Sequence, residues 1–157
     1  MAINTSGGAL VYICATATKA STVSALSALT YVLIGKVENL GEIGPQHADV
    51  PFTPLGGDPV QHLKGPLDNG AMTLICAKDP LDAGQIAMIT AAGTKFEYAL
   101  KIVEEDAADA NDTDSTTYVR GPVMGGRKTI GGAADITKRT FMVGLNFYQE
   151  VASTAVS

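Results

Sequence analysis

A chain of 157 residues and 16.2 kDa is long enough for one domain with a sizeable core. Aromatic residues make up 6% of it, Trp is absent and Gly numbers 17, which suits thin sheets and tight turns better than a large ligand cavity. The formal net charge of −5 and the pI near 4.8 argue against a protein that grips nucleic acid by neutralising phosphates.

The first quarter of the chain combines strand patterns with a passage rich in Ser, Thr and Ala. Residues 9–15 are apolar and predict a strand, and no Lys or Arg precedes them, so we do not expect an export signal. Val23, Leu26, Leu29 and Leu33 recur at helical spacing, which leaves open whether this passage is a short helix. Residues 31–40 carry β-branched residues and are followed by glycines, which predicts a longer strand.

The two cysteines, Cys14 and Cys76, lie in apolar runs without metal-ligand spacing. Two cysteines in a chain of this length do not make a disulfide framework. We therefore expect two buried thiols in a protein that is made in the reducing cytoplasm.

Residues 45–70 contain five of the seven prolines, with Gly56 and Gly57 in the middle. So many breakers do not fit a packed regular element, yet the segment is too apolar for plain disorder. We predict an arm, in the form of a long hairpin, that becomes ordered against a neighbouring subunit. The predicted interface residues are Val50, Phe52, Leu55, Val60 and Leu63.

Residues 71–103 show strand, helix and strand patterns in succession. Residues 71–77 alternate as a strand, with Met72, Leu74 and Cys76 on one face. The next strand places Phe96, Tyr98, Leu100 and Ile102 on its buried face.

One short helix is predicted between these strands, at about residues 80–92. Asp79 is the expected N-cap and Pro80 the expected first helical residue. A helix of this length needs a sheet to dock on. The residues expected to face that sheet are Leu81, Ile86, Met88 and Ile89.

Residues 104–117 (EEDAADANDTDSTT) form the acidic part of the chain. The spacing lacks the central Gly and the terminal Glu of a calcium-binding loop, so we predict a solvated, mobile loop rather than a metal site. Basic residues follow this loop closely. The charged residues considered as partners in assembly are Glu104, Glu105, Asp106, Arg120, Arg127, Lys128, Lys138 and Arg139.

The last third of the chain predicts strands. Residues 118–124 form one that Gly121 and Pro122 interrupt, and two glycine pairs bracket a hairpin-like piece after it. Residues 136–148 alternate most clearly and predict one long strand. The small, polar tail at residues 149–157 is expected to be frayed.

No motif for catalysis, a cofactor or a metal stands out. The run GPVMGGRKT at residues 121–129 breaks the Gly-Lys-Thr of a phosphate-binding loop, and no helix is predicted after it. His47 and His62 have no partner at ligand spacing. We therefore expect no catalytic residue, cofactor or metal ligand, and a protein that is not an enzyme.

Three segments together resemble a known family. They are residues 34–40 (IGKVENL), residues 49–55 (DVPFTPL) and residues 64–74 (KGPLDNGAMTL). In order and spacing they are similar to the successive signatures of the major tail tube proteins of long-tailed, siphovirus-like bacteriophages. The resemblance covers residues 31–147. The predicted helix and the closing strand stand at the same positions along the chain as in that family.

The resemblance implies a β-sandwich or partly closed barrel flanked by one short helix. It implies a structural virion protein of the tail, assembled in the host cytoplasm, that forms stacked hexameric rings. Its partners would be further copies of itself, other tail proteins at the tube ends, and DNA that passes through without sequence-specific binding. No membrane partner is expected. An acidic protein fits this role because unneutralised carboxylates repel phosphates.

Two other classes of protein remain open at this point. A tail terminator or a capsid decoration protein would share the acidic balance and the sandwich but stop at a closed ring or trimer. A cytoplasmic ligand-binding β-barrel would need a roomy interior with a few convergent polar groups.

Overall fold

The computed structural model describes residue 3 and residues 5–153, which form ten strands and two helices. The helices are α1 (Val23–Ser27) and α2 (Ala83–Ala92). The strands are β1 (Leu10–Ile13), β2 (Val32–Ile34), β3 (Val37–Asn39), β4 (Gln46–Phe52), β5 (Gln61–Asp68), β6 (Ala71–Ala77), β7 (Glu97–Val103), β8 (Thr116–Thr129), β9 (Lys138–Gly144) and β10 (Phe147–Val151).

Two antiparallel layers share the long strand β8. The first half of β8 pairs with β7 and β10, in a layer ordered β2-β1-β7-β8-β10. Its second half pairs with β9, in a layer ordered β8-β9-β6-β3. Gly121 lies at the crossing, where a β-carbon would clash with the carbonyl oxygen of Gly144. The predicted interruption at Gly121 and Pro122 is therefore a corner inside one continuous strand.

The main core lies between the two layers. Met72, Leu74 and Cys76 from β6 meet Leu100 and other apolar residues of the first layer. The other large side chains of this cluster that are less than 2% exposed are Val11, Ile13, Met88, Val119, Phe141 and Val143. The predicted mainly β, sandwich-like fold is thus confirmed.

A second, smaller cluster covers the outer face of the first layer. Leu26 of α1 is fully buried there, together with Cys14, Ala99 and Tyr118. The short helix that the Val23, Leu26 and Leu29 spacing left open is present. The outer face of this layer is therefore largely covered.

Two predicted strands are each divided in the structure. The predicted strand at residues 31–40 is wrong as one element: β2 and β3 lie in different layers, because Lys36 has a φ of 60° and turns the chain between them. The predicted strand at residues 136–148 divides into β9 and β10. At that break the Leu145 N–H donates to the Gly70 carbonyl and the Asn146 N–H donates to the Arg120 carbonyl.

Helix α2 begins later, and faces differently, than the sequence predicted. Asp82, rather than Asp79, is the N-cap, with its carboxylate accepting from the Gln85 N–H at 2.9 Å. Asp79 instead caps the preceding turn by accepting from the Leu81 N–H at 3.0 Å.

The buried face of α2 consists of Gly84, Gln85, Met88 and Ala91. Of the predicted inward residues, only Met88 is buried, while Leu81, Ile86 and Ile89 are exposed. Gly84 explains the difference, because a β-carbon there would clash with the Leu33 carbonyl oxygen. The helix approaches β2 most closely along its glycine rather than along its isoleucines.

The C-terminal tail is ordered further than predicted. Gln149 pairs with Tyr118 and Val151 pairs with Thr116. The Ser153 N–H donates to the Ser115 hydroxyl at 3.1 Å. The predicted fraying is therefore wrong for residues 149–151, while residues 154–157 lie outside the described residues.

Candidate functional site: exposed apolar and charged surfaces

The arm, residues 45–70, is a two-stranded ribbon of β4 and β5 that pairs with no other strand of the described residues. Pro51 and Pro66 lie within its strands, which a ribbon tolerates because each strand has one unpaired edge. A register shift between His47 and Asp49 sets Ala48 opposite the Gly65 and Pro66 region. The arm is thus regular structure despite its prolines.

The two faces of the arm differ in polarity. Val50 is paired with Leu63, so both point to the face that also carries Ala48 and Phe52. Gly65 lies next to Val50 on this face, since a β-carbon added to Gly65 would be 2.9 Å from a methyl group of Val50. This surface is the apolar face of the arm.

The opposite, polar face carries charged and imidazole groups. His62 Nδ1 lies 2.9 Å from an Asp49 carboxylate oxygen, in a pair that is well exposed. His47 Nδ1 lies 3.1 Å from the Gly65 carbonyl oxygen. Leu67 is the apolar exception on this side, at the root of the arm, and the sequence prediction did not include it.

All the residues predicted as a subunit interface are exposed in the single chain. Their exposed fractions are 45% for Val50, 58% for Phe52, 106% for Leu55, 47% for Val60 and 60% for Leu63. Exposed apolar side chains grouped in this way are typical of interaction sites. These values describe the single, unassembled chain.

The predicted acidic residues belong to a loop with internal hydrogen bonds. The Asp106 carboxylate accepts from the Ser115 N–H at 2.7 Å and from its hydroxyl at 2.6 Å, which lowers the pKa of Asp106. Partial burial, together with the charges of Asp106 and Glu150, raises the pKa of Glu104. Glu105 is exposed next to them.

The predicted basic residues fall into two groups. Arg120 points into its own chain, where its guanidinium donates to the carbonyl oxygens of Lys19 and Ala20 and pairs with Glu97 at 3.4 Å. The others lie around the turn between β8 and β9, at the opposite end of β8 from the acidic loop. The structure therefore does not bring the acidic and basic sets together within one chain.

The basic residues at this turn differ in their partners. Lys138 pairs with Glu38 at 2.8 Å, and the Arg139 guanidinium donates to the Gly126 carbonyl at 3.4 Å. Arg127 and Lys128 are exposed and have no ion pair with any described residue. These two cations are the most available for a partner.

Further exposed apolar residues were not predicted. They include Ile86 and Ile89 on the outer side of α2, and Ile130 and Ile136 in the β8–β9 turn. The isoleucines of the turn stand in a glycine-rich connection, where hydrophobic periodicity gives no signal.

A cavity of about 340 Å³ opens at the edge of the sandwich between β1, β3 and β7. Val11, Val37 and Ile102 line its apolar side and Glu38 and Glu105 its polar side. Among the described residues no cluster of His, Cys, Asp or Glu is arranged to hold a metal ion. Neither helix in the described part of the chain has the length and apolar character needed to span a membrane.

Sequence comparisons find no relative. No protein-family model matches the chain, and no curated protein matches it.

Solved structures share its fold, and two of them are the following. A chain of the anti-feeding prophage (AFP) baseplate, determined by cryo-electron microscopy with sixfold symmetrisation, aligns at 9% identity over 97% of this chain and 97% of that one, with a TM-score of 0.68. A chain of the SPP1 tail tube, determined by solid-state NMR and cryo-electron microscopy, aligns at 10% identity over 92% of this chain and 76% of that one, with a TM-score of 0.63. The chain therefore has a tail-tube-like fold, and the shared architecture extends over nearly its whole length.

Proposed function

We propose that this chain is a structural subunit of a phage tail or a tail-like particle, with no enzymatic activity. Copies would assemble into sixfold rings that stack into a hollow tube, and DNA would pass through it. The fold shared with a tail tube and with a sixfold baseplate supports this assignment.

The observation that carries the proposal is the exposed arm. Its apolar face has Val50, Phe52 and Leu63 in water, and no strand outside the ribbon pairs with it in the described residues. Burying such a face contributes about 25 cal/mol per Å² of apolar surface, so a second copy that covers it gains stability. A monomer that keeps this surface exposed does not obtain this stabilisation.

A free strand edge supports side-by-side assembly. The second half of β8, from Val123 to Thr129, pairs with β9 alone among the described strands. Such an edge presents unpaired N–H and C=O groups that another strand can complete. A contact between two different edges of neighbouring copies is heterologous, and it generates a ring when the rotation closes.

The net charge suits a channel that DNA passes through better than a surface that binds DNA. The net charge of −5 gives little attraction for the DNA backbone, so the polymer would slide instead of being held. The tube would meet other tail proteins at its ends and would be part of the virion, assembled in the host cytoplasm.

A second candidate is a component that stops at a single ring, such as a baseplate or terminator protein. The alignment over 97% of a baseplate chain favours it. A ligand-binding barrel is less well supported, because Phe141, Leu100 and Met72 fill the interior between the layers.

Negative-stain electron microscopy of the purified protein over a range of concentrations tests the proposal. We expect long hollow tubes with a sixfold cross-section. Single rings alone would transfer the assignment to the second candidate, and dispersed monomers at high concentration would contradict both.

A further inference from the structure

The arm and the basic residues lie at opposite ends of one sheet layer. β6 and β9 pair along their whole length, from Ala71 opposite Gly144 to Ala77 opposite Lys138. The arm joins β6 at the Ala71 end, and the β8–β9 turn lies at the Ala77 end. Seven paired residues separate these ends by roughly 20 Å.

The end of the layer at Ala77, which we call the basic end, combines residues 127–139 with residues 78–81. Ile130, Ile136 and Leu81 are exposed there at 62%, 68% and 89%. The two segments are joined, since the Lys78 N–H donates to the Thr137 carbonyl at 2.9 Å. Residues 127–139 carry four cations and a single carboxylate, that of Asp135, which accepts from the Gly132 N–H at 2.8 Å.

The arm has the opposite charge. Residues 45–70 contain Asp49, Asp58 and Asp68 but only one cation, Lys64. Asp58 lies in the loop at the arm's tip, next to exposed Leu55 and Val60, and has no ion pair with any described residue. The tip of the arm is thus apolar and acidic, as the basic end is apolar and cationic.

We propose that the tip of the arm of one copy docks on the basic end of the next copy, with Leu55 and Val60 against Ile130 and Ile136. In this contact Asp58 faces Arg127 and Lys128. The inference rests on the proposed function and specifies which surface receives the arm. Because donor and receiver are different surfaces, the contact is heterologous, so it can repeat from copy to copy and produces a stack when its rotation does not close into a ring.

The outer side of α2 is the competing receiver, since it also exposes isoleucines. The sequence of α2, AGQIAMITAA, has no charged residue. It therefore offers no cationic side chain of its own to the carboxylates of the arm, whereas the basic end offers both apolar contact and opposite charge.

Disulfide trapping tests the contact. The native cysteines should not form disulfides under these conditions, because Cys14 and Cys76 are buried and burial raises the pKa of the Cys76 thiol to about 11. The test variant combines Leu55→Cys with Ile130→Cys. The matched control combines Leu55→Cys with Ile86→Cys, which places the second thiol on α2 at similar exposure.

After assembly and mild oxidation, we expect the test variant to give a ladder of covalent trimers and longer products on non-reducing gels. The control, and each single variant, should give dimers at most. Tubes that form while the test variant yields no ladder would overturn this contact and leave the proposed function standing. A ladder from the control would assign the arm to α2, and a wild-type protein that never assembles would overturn both.

Charge reversal provides a second test. Asp58→Lys and Lys128→Glu should each slow tube elongation by roughly two- to fivefold, the size expected of one exposed pair, and raising salt should do the same in the wild type. Combining the two substitutions should restore the wild-type rate. A double variant slower than either single one, or elongation indifferent to salt, would contradict the pairing.

Discussion

At the scale of single residues, Gln85 joins three elements. Its side-chain oxygen accepts from the Asp79 N–H at 3.0 Å, and its amide nitrogen donates to the carbonyls of Ala77 at 2.8 Å and Gly35 at 3.1 Å. The residue is buried, so removing the amide takes this partner away from the Asp79 N–H and from the Ala77 and Gly35 carbonyl oxygens.

We therefore expect Gln85→Ala to lower the free energy of unfolding by about 3 kcal/mol. Urea denaturation monitored by circular dichroism measures this. Thr90→Ala, on the exposed side of the same helix, is the matched control and should cost less than about 1 kcal/mol. Equal losses of unfolding free energy in the two variants would show that the hydrogen bonds of the Gln85 amide do not stabilise the fold.

Glu97 gives the stability of the fold a dependence on pH. The Asn146 amide donates to its carboxylate at 2.7 Å, and this bond, with Arg120, holds the pKa of Glu97 below its ordinary value of 4.5 against the opposing effect of burial. The stabilisation is fully present above pH 4.5 and is lost as the pH falls through the folded-state pKa.

Glu97→Gln should therefore flatten the decline of unfolding free energy below pH 4.5 while lowering stability at pH 7 by about 1 kcal/mol. Denaturant titrations at a series of pH values report both effects. Glu42→Gln, an exposed carboxylate, is the control. If the free energy of unfolding falls as steeply below pH 4.5 in Glu97→Gln as in the wild type, Glu97 is not the source of this pH dependence.

At the scale of elements, the corner of β8 depends on Gly121. We expect Gly121→Ala to destabilise the fold by about 3 kcal/mol, because the added methyl group meets the Gly144 carbonyl oxygen. Gly125→Ala, in the same strand, has open space at that position and should be close to neutral. Thermal unfolding of the two variants gives the comparison, and a tolerated Gly121→Ala would show that the layers can separate there.

The apolar face of the arm is the element on which assembly should depend. Phe52→Asp should leave the monomer folded, since the side chain is exposed, but raise the critical concentration for assembly by a factor on the order of 100, because it buries a charge at the contact. Sedimentation and circular dichroism measure the two quantities. Leu67→Asp, on the other face of the arm, is the control.

Loss of the folded monomer in Phe52→Asp would place Phe52 in the core of its own chain instead. Equal effects of Phe52→Asp and Leu67→Asp would mean that both faces of the arm are covered on assembly. Either outcome would change the description of the arm as a ribbon with one binding face.

The elements show which physical signals a sequence carries. Residues 71–77 were predicted with the observed bounds and the observed buried face, because a half-buried strand has a period of two. The break at Lys36 was not predictable, since a positive φ at a lysine has no local signature. The face of α2 was misassigned because close approach through Gly84 and hydrogen bonding by Gln85 outweigh the isoleucine pattern.

The candidate surfaces were predictable to different degrees. The arm stood out because its prolines exclude a packed element while its apolar residues exclude disorder. Arg120 could not be distinguished from Arg127 by sequence, because only the folded chain shows that the Arg120 guanidinium points inward, whereas Arg127 is exposed and forms no ion pair with a described residue. The same holds for Ile130 and Ile136, whose exposure depends on the corner of β8 and not on any local pattern.

At the scale of the whole molecule, the central claim is that the arm finds its partner on another copy. Hydrogen–deuterium exchange of residues 45–70, in dilute monomer and in the assembled sample, measures this most directly. We predict fast exchange of the Val50 and Leu63 amides in the monomer and strong protection after assembly, while the β6 amides are protected in both. Equal protection of the arm at high dilution would contradict the claim, because the arm would then be complete within its own chain.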